Sequence, residues 1–340
     1  MNWCKHILLL LLLPMMLIGC RVHQWPEPQE VNKEDFILRL HFNTLMTIWE
    51  HYYDINTRQL IAIETDQPVV YDNTQTSGSI RYIVRIYNNN QRNEHIEEHI
   101  FSCELTEAGY DFETPMRLPI GDYTIRVWAD IRDSLTFEPL YDASDFAQIE
   151  LTNHLINTDY RDAFCGVSDF SLKQRQTGEQ VEVLTLEMNR PKAKFEFVAD
   201  GLEDFMEQQR TRSTTTNNIT DYQVMLVYTG YVPFAYSMLT DEPNNSRFGE
   251  QFSSAFSGFN GYSATMCYDY IFARVTESAT WVRLGVFDSE GESVAISYPI
   301  LVPLQRDRHT LIRGRFLEIH ASDGFVGLDP SFDGDFNWRL

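Results

Sequence analysis

The strongest constraint in this chain is a period-two alternation of apolar and polar residues that recurs along its length. In residues 35–43, Phe36, Leu38, Leu40 and Phe42 fall on one face, and Arg39, His41 and Asn43 fall on the other. Residues 80–87 repeat the pattern, with Ile80, Tyr82, Val84 and Ile86 set against Arg81, Arg85 and Tyr87. Such alternation is the signature of a strand with two unlike faces. Further strands are expected at residues 123–128, 181–186, 195–198, 223–228, 264–273, 282–287, 294–301 and 310–318. Aromatics make up 13% of the chain, which favours strands further. Residues 44–79 are less regular and are expected to hold a long loop. Residues 201–209 could form a short helix, and 210–218 reads as an exposed loop. Short strands with little helix imply an all-β protein of antiparallel sandwiches. At 340 residues the chain is long enough for two domains. Pro191 can start a strand but cannot sit within a central ladder, so the boundary is placed there. The expected division is a signal over residues 1–19, a tether over 20–34, an N-terminal domain over 35–188 and a C-terminal domain over 189–340.

The N-terminus sets the compartment. Lys5 precedes an apolar run over residues 7–18, of signal-peptide length and too short to span a bilayer. It ends in Leu17, Ile18, Gly19 and Cys20, the pattern of a bacterial lipoprotein signal. Cleavage before Cys20 and acylation of its thiol and new amino group are expected, which would tether a soluble body to a membrane through several acyl chains. The extended stretch that follows, with Pro26 and Pro28, reads as a tether.

Charge and cysteine content exclude several functions. A formal net charge of −22 leaves nothing to neutralise a row of phosphates, so nucleic acid is not a partner. Cys20, Cys103, Cys165 and Cys267 have no metal-ligand spacing. The last three read as buried free thiols, with a Cys103–Cys165 disulfide as the alternative. Residues 95–99 literally fit H-x-x-E-H, but a strand would hold His95 and His99 ~13 Å apart, too far to share an ion. Asp329, Asp333 and Asp335 lack the spacing of a calcium loop. No nucleophile elbow, phosphate loop or dinucleotide fingerprint occurs, so no catalytic residue, metal or cofactor is assigned. Trp25, Trp49 and Trp338 could stack on sugars, or could serve a β core.

Eight stretches in order carry a resemblance. They are the lipoprotein signal at Cys20, the strand over 35–42, residues 80–87, residues 118–130, Arg161-Asp-Ala-Phe-Cys-Gly166, Arg190-Pro-Lys-Ala-Lys-Phe-Glu-Phe197, and residues 310–317 with 332–336. Together they resemble the fimbrillin-type fimbrial subunit and anchor lipoproteins of Bacteroidales. The resemblance implies two tandem transthyretin-like β-sandwich domains and a lipid-anchored outer-membrane location. It also implies a structural, accessory or anchor role in fimbriae, with other fimbrial subunits bound by strand addition and a host or bacterial surface ligand as a further partner. Polymerising members are trimmed after an Arg, for which Arg58 is the candidate here; anchor-type members are not trimmed. Residues 35–43 and 324–340 are the candidate exchangeable strands. The alternative reading is a surface glycan-binding lipoprotein of a polysaccharide-uptake system.

Overall fold

The computed structural model describes residues 32–64, 69–72, 77–89, 91–105, 110–132, 138–152, 156–212 and 218–319. Within them the chain is all-β, with 22 strands in five sheets and a single α-helix among the described residues. The N-terminal part forms β1 (Lys33–Phe42), β2 (Leu45–Asp54), β3 (Gln59–Ala62), β4 (Val69–Asp72), β5 (Ser79–Asn88) and β6 (Gln91–Glu104). It continues through β7 (Phe112–Pro119), β8 (Gly121–Arg132), β9 (Tyr141–Asp142), β10 (Ile149–Leu151), β11 (Ala163–Leu172) and β12 (Glu182–Met188). The C-terminal part forms β13 (Lys192–Asp200), α1 (Leu202–Arg212), β14 (Gln223–Tyr228), β15 (Tyr231–Ser237), β16 (Glu242–Phe248) and β17 (Gln251–Ala255). The last strands are β18 (Ser263–Phe272), β19 (Ser278–Phe287), β20 (Ser293–Ile296), β21 (Ile300–Leu304) and β22 (Arg308–Gly314).

The first core lies between a three-stranded sheet, β12-β1-β7, and a four-stranded sheet, β11-β8-β5-β6. β1 is its central element, parallel to β12 and antiparallel to β7. Phe36, Leu38 and Leu40 are fully buried there and Phe42 nearly so, because alternation aims all four at one face. Phe36 packs on Phe170, and Phe42 meets Tyr82, Tyr110 and Phe164.

β5 shows how the two cores touch. Its even positions, Ile80 to Ile86, enter the first core. Its odd positions are buried as well, so this strand is covered on both faces. Arg81 donates from Nε to Asp130 at 2.9 Å and from Nη2 to the Tyr141 carbonyl at 3.0 Å. Trp128 Nε1 also donates to Asp130, at 2.9 Å. Arg85 reaches Glu98 at 2.6 Å and the Ser144 carbonyl at 2.8 Å, and its guanidinium lies over the Phe146 ring. The cations that alternate along this strand therefore fasten it to β9 and the loop after it.

The second core is larger. Its main sheet runs β18-β13-β22-β2-β3, with β4 also on β2, and it faces the sheet β17-β14-β19-β20, to which β21 adds. A four-stranded sheet, β16-β15-β10-β9, completes it. α1 begins after Gly201, whose φ of +76° is favourable for glycine. Glu203 and Asp204 in its first turn suit the helix dipole, and Leu202, Phe205 and Met206 turn inward at helical spacing.

Strand pairing runs across the expected domain boundary. Everything described after residue 189 belongs to the second core, but that core also takes strands from the N-terminal side. β2 lies parallel to β22, and β10 pairs with β15. The expected long loop over 44–79 is corrected: it carries β2, β3 and β4. β2 was hidden because Leu, Met, Ile, Trp and Tyr occupy both of its faces and leave no clean alternation. The expected strand over 294–301 is two strands, β20 and β21, each paired with a different part of β19.

This interleaving predicts that a fragment starting at residue 189 will not fold alone, because β22 would present a bare edge where β2 belongs. Circular dichroism of that fragment should show loss of the β signal. Adding a peptide of residues 43–64 in trans should restore part of it.

Candidate functional site

The junction between the cores is built from the two motifs around residues 161–166 and 190–197. Arg190 just before β13, and Lys192 and Lys194 at its start, follow in alternation, and all three are buried. Three cations buried so close together need partners. Arg190 is fully buried. Its Nε donates to both carboxylate oxygens of Asp162, at 3.0 and 2.8 Å. Its Nη2 donates to the Thr44 carbonyl at 2.8 Å, and its Nη1 donates to the carbonyls of Asn43 and Leu45, each at 3.3 Å. The guanidinium also lies 4.7 Å from the centre of the Phe164 ring. Burial works against its charge, but the adjacent Asp162 outweighs that and raises its pKa. Residues 43–45 are the crossover from β1 to β2, so one side chain holds the backbone where the chain passes between cores.

The rest of the cluster extends from this clamp. Arg161 pairs with buried Asp269 at 2.8 Å, and Tyr228 donates to the same carboxylate at 2.6 Å. Lys194 reaches Asp159 at 3.1 Å, and Tyr270 donates to Asp159 at 2.6 Å. Lys192 donates to the Tyr141 hydroxyl and to the Tyr270 carbonyl. Burial first, and then Arg161, pushes its pKa well below the usual ammonium value. Asp307 adopts φ +56° beside the clamp, with Oδ1 3.9 Å from Arg190 Nη1. Its backbone links β2 to β13: Thr47 donates to its carbonyl, and it donates to the Lys192 carbonyl. Burial raises its carboxyl pKa to about 6.

Gly166 seals the other side. A Cβ there would sit 2.7 Å from the Glu187 carbonyl oxygen and 2.8 Å from Met188 Sδ, so only glycine lets β11 press against β12. Cys165 and Asn189 exchange backbone hydrogen bonds at the same point.

Beside the clamp opens a cleft of about 930 Å³. It is lined by Arg126, Arg190, Arg306 and Arg308, by the acids Glu187, Asp241 and Asp307, and by neutral polar and apolar side chains. Arg306 is neutralised by Asp241 at 2.8 Å. Arg308 stacks on half-buried Trp49, at 4.6 Å from the ring centre.

The residues singled out in the sequence are scattered. Cys20, Trp25, Trp338, the three C-terminal aspartates and residues 324–340 lie outside the described residues. Arg58 is exposed in the tight turn between β2 and β3, with φ +58°, and its guanidinium lies over the Tyr298 ring. His95 and His99 lie on strand β6. His99 contacts Glu97 at 3.1 Å, and the His95 ring meets Tyr87 edge-on. Cys103, Cys165 and Cys267 are free thiols. The alternative disulfide is ruled out by geometry: β6 and β11, which carry Cys103 and Cys165, are opposite edges of one sheet, with β5 and β8 between them. Burial pushes the Cys165 thiol up to about 12, so it is not a nucleophile at neutral pH. Asp162 and Arg190 were visible only as members of the quoted motifs. The signal that could have marked them is a run of cations interleaved with apolar residues in a strand too apolar to be exposed.

The fold and junction define an all-β, two-core protein whose N-terminal strands are shared between the cores. The chain belongs to the family of unknown function DUF6562, whose sequence profile matches residues 41–339. No curated protein matches it. Among solved structures it is similar to a fimbrial assembly protein from Parabacteroides distasonis, at 12% identity, with 86% of this chain and 93% of that one covered and a TM-score of 0.39. It is similar to the fimbrial anchor protein Mfa2 from Porphyromonas gingivalis, at 12% identity, with 74% and 80% covered and a TM-score of 0.35. A DUF1812 protein from Bacteroides thetaiotaomicron, described as a candidate polysaccharide-binding protein, shares 15% identity, with 77% and 80% covered and a TM-score of 0.40.

Two outcomes follow from the junction. Arg190→Ala leaves Asp162 buried without its cation and three crossover carbonyls without a donor, so stability should fall by about 3–5 kcal/mol in chemical denaturation. Asp307→Asn suits the left-handed backbone and removes a carboxyl whose folded pKa lies above the ~3.9 of the unfolded chain. The stability this carboxyl contributes is fully present below about pH 4 and is lost as pH rises through about 6. The melting temperature of Asp307→Asn relative to the parent should therefore climb between pH 4 and about pH 6.5 and level off above.

Proposed function

We propose that this chain is a lipid-anchored, outer-membrane component of surface fimbriae, acting as an accessory or anchor unit and not as a trimmed, polymerising subunit. The order of the sequence motifs supports the fimbrial assignment. The clamp at residues 43–45 supports the anchor role, and it is the observation that carries this reading. Acylation at Cys20 would place the membrane attachment 13 residues before β1 begins at Lys33. A load entering there meets β1, held between β12 and β7, and then β2, held against β22. Both strands must slide before the body detaches, and Arg190 grips the link between them.

The same geometry argues against trimming at Arg58. A cut there would free a segment containing β1 and β2, one strand from each core, and would open two grooves instead of one. Strand addition by a fimbrial partner is then expected at an edge that is already free, without loss of β1.

Cys20→Ala should release the protein from membranes and abolish palmitate labelling, and cells carrying it should shed fimbriae into the medium. Fimbriae retained normally by that variant would overturn the anchor role. Trypsin-nicked protein should keep its N-terminal segment and elute as a monomer; oligomers after loss of that segment would restore the polymerising reading.

A further inference from the structure

Arg126 sits on β8 with its guanidinium over the Tyr87 ring, 4.5 Å from the ring centre. Stacking uses the face of the group and leaves its in-plane donors free. Two of them, Nε and Nη1, are shielded from solvent and have no hydrogen-bond partner among the described residues. A guanidinium with idle, desolvated donors is costly unless something completes it. The side chain lines the inter-core cleft, and Arg308 lines the same space. Of the four arginines there, Arg190 is held by Asp162 and Arg306 by Asp241, which leaves Arg126 and Arg308 as the cations that can serve a ligand.

We infer that this cleft is a binding site for a short acidic glycan, with Arg126 receiving a carboxylate or sulfate oxyanion of the sugar. A planar guanidinium grips such an oxyanion bidentately through Nη2 together with either Nε or Nη1, the two donor pairs that its fork offers. At about 930 Å³ the space exceeds what one ion needs and lies within the range of small-ligand sites. Thr47, Ser168, Thr185 and Asn189 supply neutral groups suited to sugar hydroxyls. A second hollow of about 450 Å³ shares Thr47 and Arg308 with the first and adds Trp49, so the site continues toward an aromatic ring. The net charge of −22 repels long polyanions and favours an oligosaccharide carrying few charges. This inference rests on the cleft alone and stands or falls independently of the anchor role.

Calorimetric titration of the full mature protein in detergent tests it, with a tetragalacturonate, a sulfated tetrasaccharide, a neutral tetrasaccharide and tetraglutamate as probes. At least one acidic sugar should bind ~10-fold or more tightly than the neutral sugar and the acidic peptide, and Arg126→Gln should remove that advantage. Val167 is exposed at the cleft wall, so Val167→Glu should weaken binding of the acidic sugar by like-charge repulsion without disturbing the core; an unchanged melting temperature would confirm that the variant is folded. The inference is overturned if neutral and acidic sugars bind alike, if tetraglutamate binds as well as the sugars, if none binds up to about 10 mM, or if Arg126→Gln leaves affinity unchanged.

Discussion

The buried pair of Arg190 and Asp162 is the interaction on which the architecture turns. Arg190 stands one residue before Pro191 and Asp162 at the start of β11, so the pair ties the entrance of β13 to a strand of the first core. The remaining guanidinium donors fix the backbone of residues 43–45, where the chain leaves one sandwich for the other. A lysine could not do this, because a single ammonium cannot span a carboxylate and three carbonyls in a fixed fork. The clamp also makes the burial of an ionic pair intelligible. A hydrophobic pair could fill the same volume, but it would leave those three carbonyls without donors.

The buried cations and the shared strands answer one geometric problem. The central strands of the sheet β11-β8-β5-β6 are buried on both faces, yet β5 keeps Arg81 and Arg85 and β8 keeps Arg126 and Asp130. Arg81 is held by Asp130 of the same sheet and by the Tyr141 carbonyl, and Arg85 by Glu98 of the same sheet and by the Ser144 carbonyl, whereas Arg126 keeps idle donors. These contacts fix the register of the two cores and prevent the slippage that a purely apolar interface would allow. Where the two bodies diverge, next to Arg190 and Gly166, the cleft remains.

Alternation made strands of both cores legible in the sequence, most clearly in β1, which has one wet and one dry face. β1, β8 and β14 fall close to the residues where alternation put them, and α1 follows from the pattern after Gly201. What escaped has a physical reason in each case. β2 is apolar and aromatic on both sides because it sits inside a sheet and meets the cleft and β3, so period two disappears. β6 is an edge strand with several exposed polar residues, held by its ladder to β5 more than by its own composition. The junction escaped because pairing between Asp162 and Arg190, or between Arg190 and residues 43–45, depends on topology that no local pattern encodes. The motif residues were recognisable as a set, but the chemistry that unites them appears only after β2 crosses over.

The crossover bears on how such a body could exchange strands. β1 alone buries four apolar side chains, at ~1.5–3 kcal/mol each, a total of roughly 6–12 kcal/mol. That is comparable to the entire stability of an ordinary domain, ~5–15 kcal/mol. Loss of β1 is therefore equivalent to unfolding the first core unless a replacement strand arrives at once. β2 carries the same argument into the second core, where it pairs with β22, β3 and β4. Removing both strands together would require two incoming strands in two differently oriented grooves. A single donor strand cannot meet that demand. The free energy that makes strand addition irreversible in a simple open sandwich here holds the N-terminal segment in place, which is what the proposed anchor role requires.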